Sequence, residues 1–285
     1  MRIAHITDIH VERRPELGQL GNKRLAGALN LYVLGRHNHF TAAAQGALVE
    51  AVMAAKPDLV LCTGDLTATA TEAEFVAAAA LMEPIRTRFD WLAIPGNHDV
   101  YTGESVGRFA QHFGALAPVR VERRGTWDVV LVDVCHPDWL SRGWLGSGGV
   151  SALETVLSTG EAPVLLALHY PLRGRDGARH GPATRACIDA EAIEAACVKN
   201  PRVKMVVHGH EHHGYRVEIP REGGGAPIAS IDPGAGGYAF LPEKKRTAHF
   251  CVYTLGEAEL EGVERFAFDG ERFVSEAGGA FASGG

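Results

Sequence analysis

The sequence has no long hydrophobic run. Nothing in it approaches the ~20 consecutive apolar residues that span a bilayer, and its first stretch, "MRIAHITDIH", lacks the apolar segment and small-residue cleavage site of a secretory leader. It has no CxxC pair. The five cysteines, Cys62, Cys135, Cys187, Cys197 and Cys251, are odd in number and widely spaced, which argues against a disulfide framework and fits a reducing compartment. It has no surplus of positive charge either: the formal net charge is -6, so there is no strong nucleic-acid signal, although a local basic groove is still compatible with it. These absences lead to the expectation of a cytoplasmic globular protein.

What is present is apolar surface in short, regularly placed pieces. Hydrophobic residues make up 46% of 285, enough for a substantial core. Six runs read as strands: "RIAHIT", "DLVLCTG", "WLAIPG", "DVVLVDV", "VLLALHY" and "VKMVVHG". They are continuously apolar rather than alternating, as strands covered on both faces are. Between them, Thr41 to Ala55, Glu72 to Arg88 and Val150 to Leu157 have helical spacing. Alternating strands and helices predict a layered α/β domain with a parallel or mixed sheet. After His213 the pattern turns to strands alone ("GYRVEI", "PIASIDPG", "HFCVYTL", "VERFAFDGERFVS"), with a hairpin at Asp269–Gly270. Residues 1–275 are expected to form one domain and 276–285 a frayed tail.

In open α/β sheets, ligands bind beyond the carboxyl ends of the strands, and here those ends are polar. The first strand exits into "TDIH", giving Asp8 and His10, which share a face if the extended geometry persists. The second exits into "TGDL" with Asp65, and the third into "PGNHD" with Asn97, His98 and Asp99. "VLLALHYP" supplies His169, and "VVHGHEHHG" supplies His208, His210, His212 and His213 around Glu211. A single histidine at a strand end is ordinarily a hydrogen-bonded residue and no more. Five such blocks together offer carboxylate, imidazole and amide oxygen without thiolate, a donor set suited to Mn²⁺, Fe²⁺ or Zn²⁺.

The series D-x-H, G-D, G-N-H-D, H and G-H-x-H, in this order over residues 8 to 212, resembles the calcineurin-like metallophosphoesterases, and the separated histidines of "GHEH" resemble their bacterial class III cyclic nucleotide phosphodiesterase-like members. The resemblance implies a four-layer α/β/β/α sandwich, two mixed sheets flanked by helices, with a dinuclear metal site at the strand ends. It implies one divalent ion on Asp8, His10, Asp65 and His212 and a second on Asp65, Asn97, His169 and His210, with Asp65 bridging. Two ions ~3.5–4 Å apart hold a hydroxide that attacks phosphorus in line and offset charge on the equatorial oxygens. His98 then faces the substrate as hydrogen-bond or proton donor. Asp99 either orients that ring or fixes the turn. His208 and His213 fall outside the ligand positions, His208 on the ligands' face if the strand continues.

This leads to the expectation of an enzyme that hydrolyses a phosphodiester bond in a small phosphorylated substrate, with cyclic nucleotides among the candidates. A pyrophosphatase or phospholipid-type phosphoesterase at a membrane surface is the alternative, and a non-enzymatic scaffold is disfavoured because every ligand position is filled. Two loops bear on the choice. Residues 22–40, apolar from Leu25 to Leu34 and flanked by Lys23, Arg24, Arg36 and His37, read as a packed helix, a lid or an interfacial segment making peripheral membrane contact. Residues 173–185, "RGRDGARHGPATR", offer arginines for phosphate binding or form an ordinary solvated loop.

Overall fold

Neighbouring residues of one short strand belong to different cores. Leu59 and Leu61 lie in one apolar cluster, Val60 and Cys62 in another, so the run "LVLC" is apolar throughout because both its faces are covered. The computed structural model describes residues 1–13, 39–180, 184–221 and 223–282.

In chain order the first half contains β1 (Arg2–Ile6), α1 (Ala42–Ala55), β2 (Leu59–Cys62), α2 (Glu72–Arg88), β3 (Asp90–Ala93), α3 (Gly103–Phe113), β4 (Val119–Arg124) and β5 (Trp127–Val132). The second half contains α4 (Gly146–Ser158), β6 (Val164–Ala167), α5 (Ala190–Lys199), β7 (Val203–Val207), β8 (Tyr215–Ile219), β9 (Ile228–Asp232), β10 (His249–Leu255), β11 (Leu260–Phe268) and β12 (Phe273–Ser275). The strands form two six-stranded mixed sheets, ordered β12-β11-β10-β1-β2-β3 and β4-β5-β6-β7-β9-β8.

Three apolar clusters define four layers. Leu48, Val52, Phe75 and Met82 of α1 and α2 cover one face of the first sheet at Ala4, Ile6, Val60 and Cys62. Leu153, Leu157, Ile193 and Cys197 of α4 and α5 cover the second sheet at Val130, Leu166 and Val206. Between the sheets, Ile3, Leu59 and Leu61 meet Trp127, Leu165 and Met205. The protein is therefore an α/β/β/α sandwich. Within it β1, β2 and β3 run parallel, as do β5, β6, β7 and β9, so their carboxyl ends gather at one edge.

Local chemistry sets the helix starts. Thr71 and Glu74 form a reciprocal capping box at α2, and Thr41 accepts a hydrogen bond from the Ala44 amide at α1. Three elements, β4, α3 and α5, are not singled out by the apolar pattern. β4, "VRVERR", is an edge strand that exposes Val121 and Arg123, joined to β5 through Gly125 at φ 57°. α3 is marked by Phe109 and Phe113 packing under α2. The expected frayed tail is anchored at its start. Glu276 is buried, accepts from the Arg265 guanidinium at 3.0 Å and from the Phe281 amide at 2.6 Å, and Arg265 lies over the Phe281 ring. Among the described residues no helix is long and apolar enough to cross a membrane.

Candidate metal centre

At the shared edge the chain leaves each strand by a turn, and much of the turning is left-handed. Asp8, His10, Asp65, His210 and His212 have φ of 53°, 50°, 55°, 78° and 61°. Each costs on the order of 1 kcal/mol or more in a non-glycine residue, strain that accumulates at functional sites. The expectation that Asp8 and His10, or His208, His210 and His212, share a face by strand alternation is therefore overturned. β1 ends at Ile6 and β7 at Val207, and the turns beyond them aim the side chains. Glycine is required where these turns touch. A Cβ on Gly96 would collide with the Asp65 carboxylate, and one on Gly209 with Thr7 and Asp8.

Asp8, His10, Asp65 and His212 place one ligand atom each within 4.8 Å of one another. His212 Nε2 lies 3.2 Å from both Asp8 Oδ1 and His10 Nε2, and His10 Nε2 lies 3.7 Å from Asp8 Oδ1. The other Asp8 oxygen, Oδ2, accepts from the Thr7 hydroxyl at 2.9 Å and the His210 amide at 3.0 Å. Burial opposes the Asp8 charge, and the imidazoles of His212 and His10 outweigh it, holding the carboxyl well below its usual range. His212 is oriented through Nδ1, 3.0 Å from the Tyr238 hydroxyl.

A second set faces it across Asp65. His169 donates from Nδ1 to the Thr63 carbonyl at 2.7 Å, and His210 donates from Nε2 to the Arg185 carbonyl at 3.1 Å. A carbonyl can only accept, so the opposite nitrogens of the neutral rings carry lone pairs. Those nitrogens point at Asn97 Oδ1, at 3.2 Å from His169 Nε2 and 2.9 Å from His210 Nδ1. Burial lowers both histidines' pKa, which keeps the rings neutral and ready to ligate. Asp65 Oδ1 accepts from the His98 amide at 2.8 Å, while Oδ2 lies 3.6 Å from His10 Nε2 and 3.6 Å from His169 Nε2. One oxygen thus faces both sets.

The residues fit a pair of cations. Asp8 Oδ1 is buried without a hydrogen-bond partner, an arrangement that is costly unless a positive charge completes it. Three lone-pair atoms meet at Asn97, which is repulsive unless a cation sits among them. The shortest donor separations in the first set, 3.2 Å, fall within the roughly 3.0–3.4 Å expected between atoms each bound ~2.1 Å from one ion.

The neighbours divide into three kinds. The His98 ring donates from Nδ1 to the Ala68 carbonyl at 2.7 Å and lines the cavity in front of the two sets. Of the two roles open to Asp99, the structure shows the hydrogen bonds that fix the turn. Its carboxylate receives the amides of Gly96, Leu66 and Thr67 and the Thr67 hydroxyl, which ties two strand-end turns together. Burial raises the Asp99 carboxyl to about 6 against those hydrogen bonds. His208 does not reach a ligand carboxylate. It lies behind the site, 3.2 Å from Ser230 Oγ and 3.7 Å from Asp232. His213 stays half-buried beside Tyr238. Sequence reasoning missed Tyr238, which has no motif, and His5, which had a signal: a histidine inside an apolar strand. His5 bonds Tyr253 and Thr63, and Thr63 in turn carries the carbonyl that orients His169.

The cavity in front of the ligands holds about 370 Å³ and is walled by His98, Tyr101, Trp139, Leu140 and Arg185. Most arginines of loop 173–185 are not offered to it. Arg173 pairs with Glu194 through two nitrogens, Arg179 pairs with Glu191, and Arg175 lies over Tyr215 and donates to the His213 carbonyl. His180 bonds Glu211 at 2.9 Å. Of the 22–40 segment, residues 22–38 lie outside the described residues, so the helix, lid or interfacial reading falls there. Phe40, at its end, packs on the His10 ring at 4.2 Å and faces His212.

Solved structures share this fold. A dimetal phosphatase from Danio rerio aligns over 96% of this chain and 98% of its own at TM-score 0.62 and 12% identity. A purple acid phosphatase from seeds of yellow lupin (Lupinus luteus) aligns over 96% of this chain and 52% of its own at TM-score 0.63 and 16% identity. A 5'-nucleotidase precursor from Thermus thermophilus aligns over 96% and 54% at TM-score 0.54 and 14% identity. No curated protein matches the chain by sequence. Residues 1–214, which carry every donor of the two sets, match the family model for calcineurin-like phosphoesterase, and the chain belongs to that family.

Proposed function

We propose that the protein is a dinuclear metal-dependent phosphodiesterase acting on a small organic phosphodiester, with cyclic nucleotides among its candidate substrates. The observation that carries the metal requirement is Asp65 Oδ2, equidistant at 3.6 Å from a nitrogen of each donor set. Two divalent ions of the Mn²⁺, Fe²⁺ or Zn²⁺ kind, bound there, supply the activated nucleophile and the positive charge that phosphoryl transfer needs.

The chain's own groups do the rest. Asp8, His10, Asp65 and His212 would hold one ion, and Asp65, Asn97, His169 and His210 the other. His98, fixed through its Nδ1 bond to Ala68, presents Nε2 to the cavity, where the protonated ring donates to the phosphoryl oxygen or to the departing alkoxide. The diester preference is supported by the sparse positive charge at the mouth. Among the described residues that line the cavity, the only arginine is Arg185 and there is no lysine, which suits a monoanionic diester better than a dianionic monoester.

The test is an assay on metal-loaded protein with bis-p-nitrophenyl phosphate against p-nitrophenyl phosphate. The expected result is a higher kcat/KM on the diester. Preference for the monoester would remove the diester reading, and activity unaffected by chelation would remove the metal requirement.

A further inference from the structure

Loop residues 134–145 were not singled out by any motif, yet they form one wall of the metal cavity. Trp139 and Leu140 are 70% and 49% exposed, the most exposed large apolar pair in consecutive positions among the described residues. A mobile tip does not explain that exposure. Asp138 accepts from the Leu140 and Arg142 amides and from two nitrogens of the Arg142 guanidinium, at 3.0–3.2 Å. The Ser141 carbonyl receives the Tyr170 hydroxyl at 2.6 Å, which ties the turn to the residue following His169. The turn is held from both ends, and it holds an indole out toward the cavity.

Arg185 lines the same cavity from the neighbouring segment, which is joined to this loop where the Gly143 amide donates to the Ala186 carbonyl at 3.1 Å. The Arg185 carbonyl orients His210, and its exposed side chain has no ion pair among the described residues. Loop 173–185 thus spends Arg173 and Arg179 on α5 and leaves Arg185 at the mouth.

We infer that Trp139 and Arg185 form a leaving-group subsite, selecting phosphoesters whose departing group carries a flat ring, with Arg185 holding an anionic oxygen of the same substrate. The inference rests on the phosphoesterase reading and adds the substrate class. Ring-on-indole stacking buries apolar surface that the free protein leaves in water, worth about tenfold in affinity. A guanidinium on a phosphoryl oxygen is a charge-assisted hydrogen bond of similar size, about tenfold, and is indifferent to the leaving group.

Binding of phenylphosphonate and methylphosphonate to the metal-loaded protein, measured by calorimetry, separates the two contributions without turnover. The wild type should bind the phenyl compound about tenfold more tightly. Trp139→Ala should erase that preference, Trp139→Phe should keep most of it, and both variants should retain the wild-type metal content and melting temperature. Arg185→Ala should weaken both ligands alike, and Arg185→Lys should restore part of the loss. A phenyl preference that survives Trp139→Ala overturns the subsite. A protein that shows the expected binding pattern yet hydrolyses neither p-nitrophenyl substrate would sink the proposed activity and leave the subsite standing.

Discussion

The two donor sets that share Asp65 are built by different means. The first has two carboxylates and two imidazoles, and all four residues have left-handed backbones. Its His212 is oriented by a side chain, the Tyr238 hydroxyl. The second adds only a neutral amide and two imidazoles to the shared carboxylate. Asn97 and His169 have ordinary backbones, and both histidines are oriented by main-chain carbonyls. The first set therefore supplies more negative charge to a cation, and the second is the more rigidly tied to the fold. Charge decides affinity more strongly than orientation, so the first set should hold its ion more tightly.

The largest effect should come from the group that belongs to both. Asp65→Asn removes the charge shared by the sets, and turnover should fall by at least ~1000-fold with most of the bound metal lost. Elemental analysis and the diester assay check it together, and full occupancy by two ions in this variant would refute the bridging assignment. Next come the unshared ligands. Asn97→Ala should leave about one ion per chain, while Asp8→Asn should empty the tighter set, each lowering activity by roughly 100-fold or more. If Asn97→Ala loses both ions and Asp8→Asn only one, the ranking of the sets is reversed. His98→Ala should keep both ions and lower kcat by about 100-fold, within the usual range for general-acid loss, and a drop in metal content would place His98 among the ligands instead.

The same contrast explains what the sequence disclosed. The ligand types and their order were legible because each ends a short apolar run, and strand ends are where open α/β sheets bind. The four layers were legible only through the family resemblance. An apolar run such as "LVLC" shows that both faces are covered, but not whether a helix or a second sheet covers them. The aim of the side chains was not legible. Alternation placed Asp8 with His10 and His208 with His210, but left-handed turns intervene, and nothing in the residue types of "TDIH" announces a positive φ. The orienting partners were hidden for a related reason. The carbonyls of Thr63, Ala68 and Arg185 belong to the backbone and leave no mark on the sequence, and adjacency alone left Asp99 open between orienting His98 and fixing the turn.

That hidden difference gives the finest test of the comparison. Tyr238→Phe deletes one oxygen and leaves the ring in place between Phe40 and His212. The His212 ring then loses the partner at Nδ1 that fixes its orientation, and metal affinity at the first set should fall by about tenfold, the usual cost of removing such a partner. Affinity at the second set should not change, since the carbonyls that hold His169 and His210 are untouched. Stepwise calorimetric titration of the metal-free protein with Mn²⁺ resolves the two. In the wild type the first step should be the tighter, and in Tyr238→Phe the two should draw together. A larger loss at the weaker step would show that Tyr238 supports the whole pocket rather than one ligand. That would leave charge, without orientation, as the feature that separates the sets.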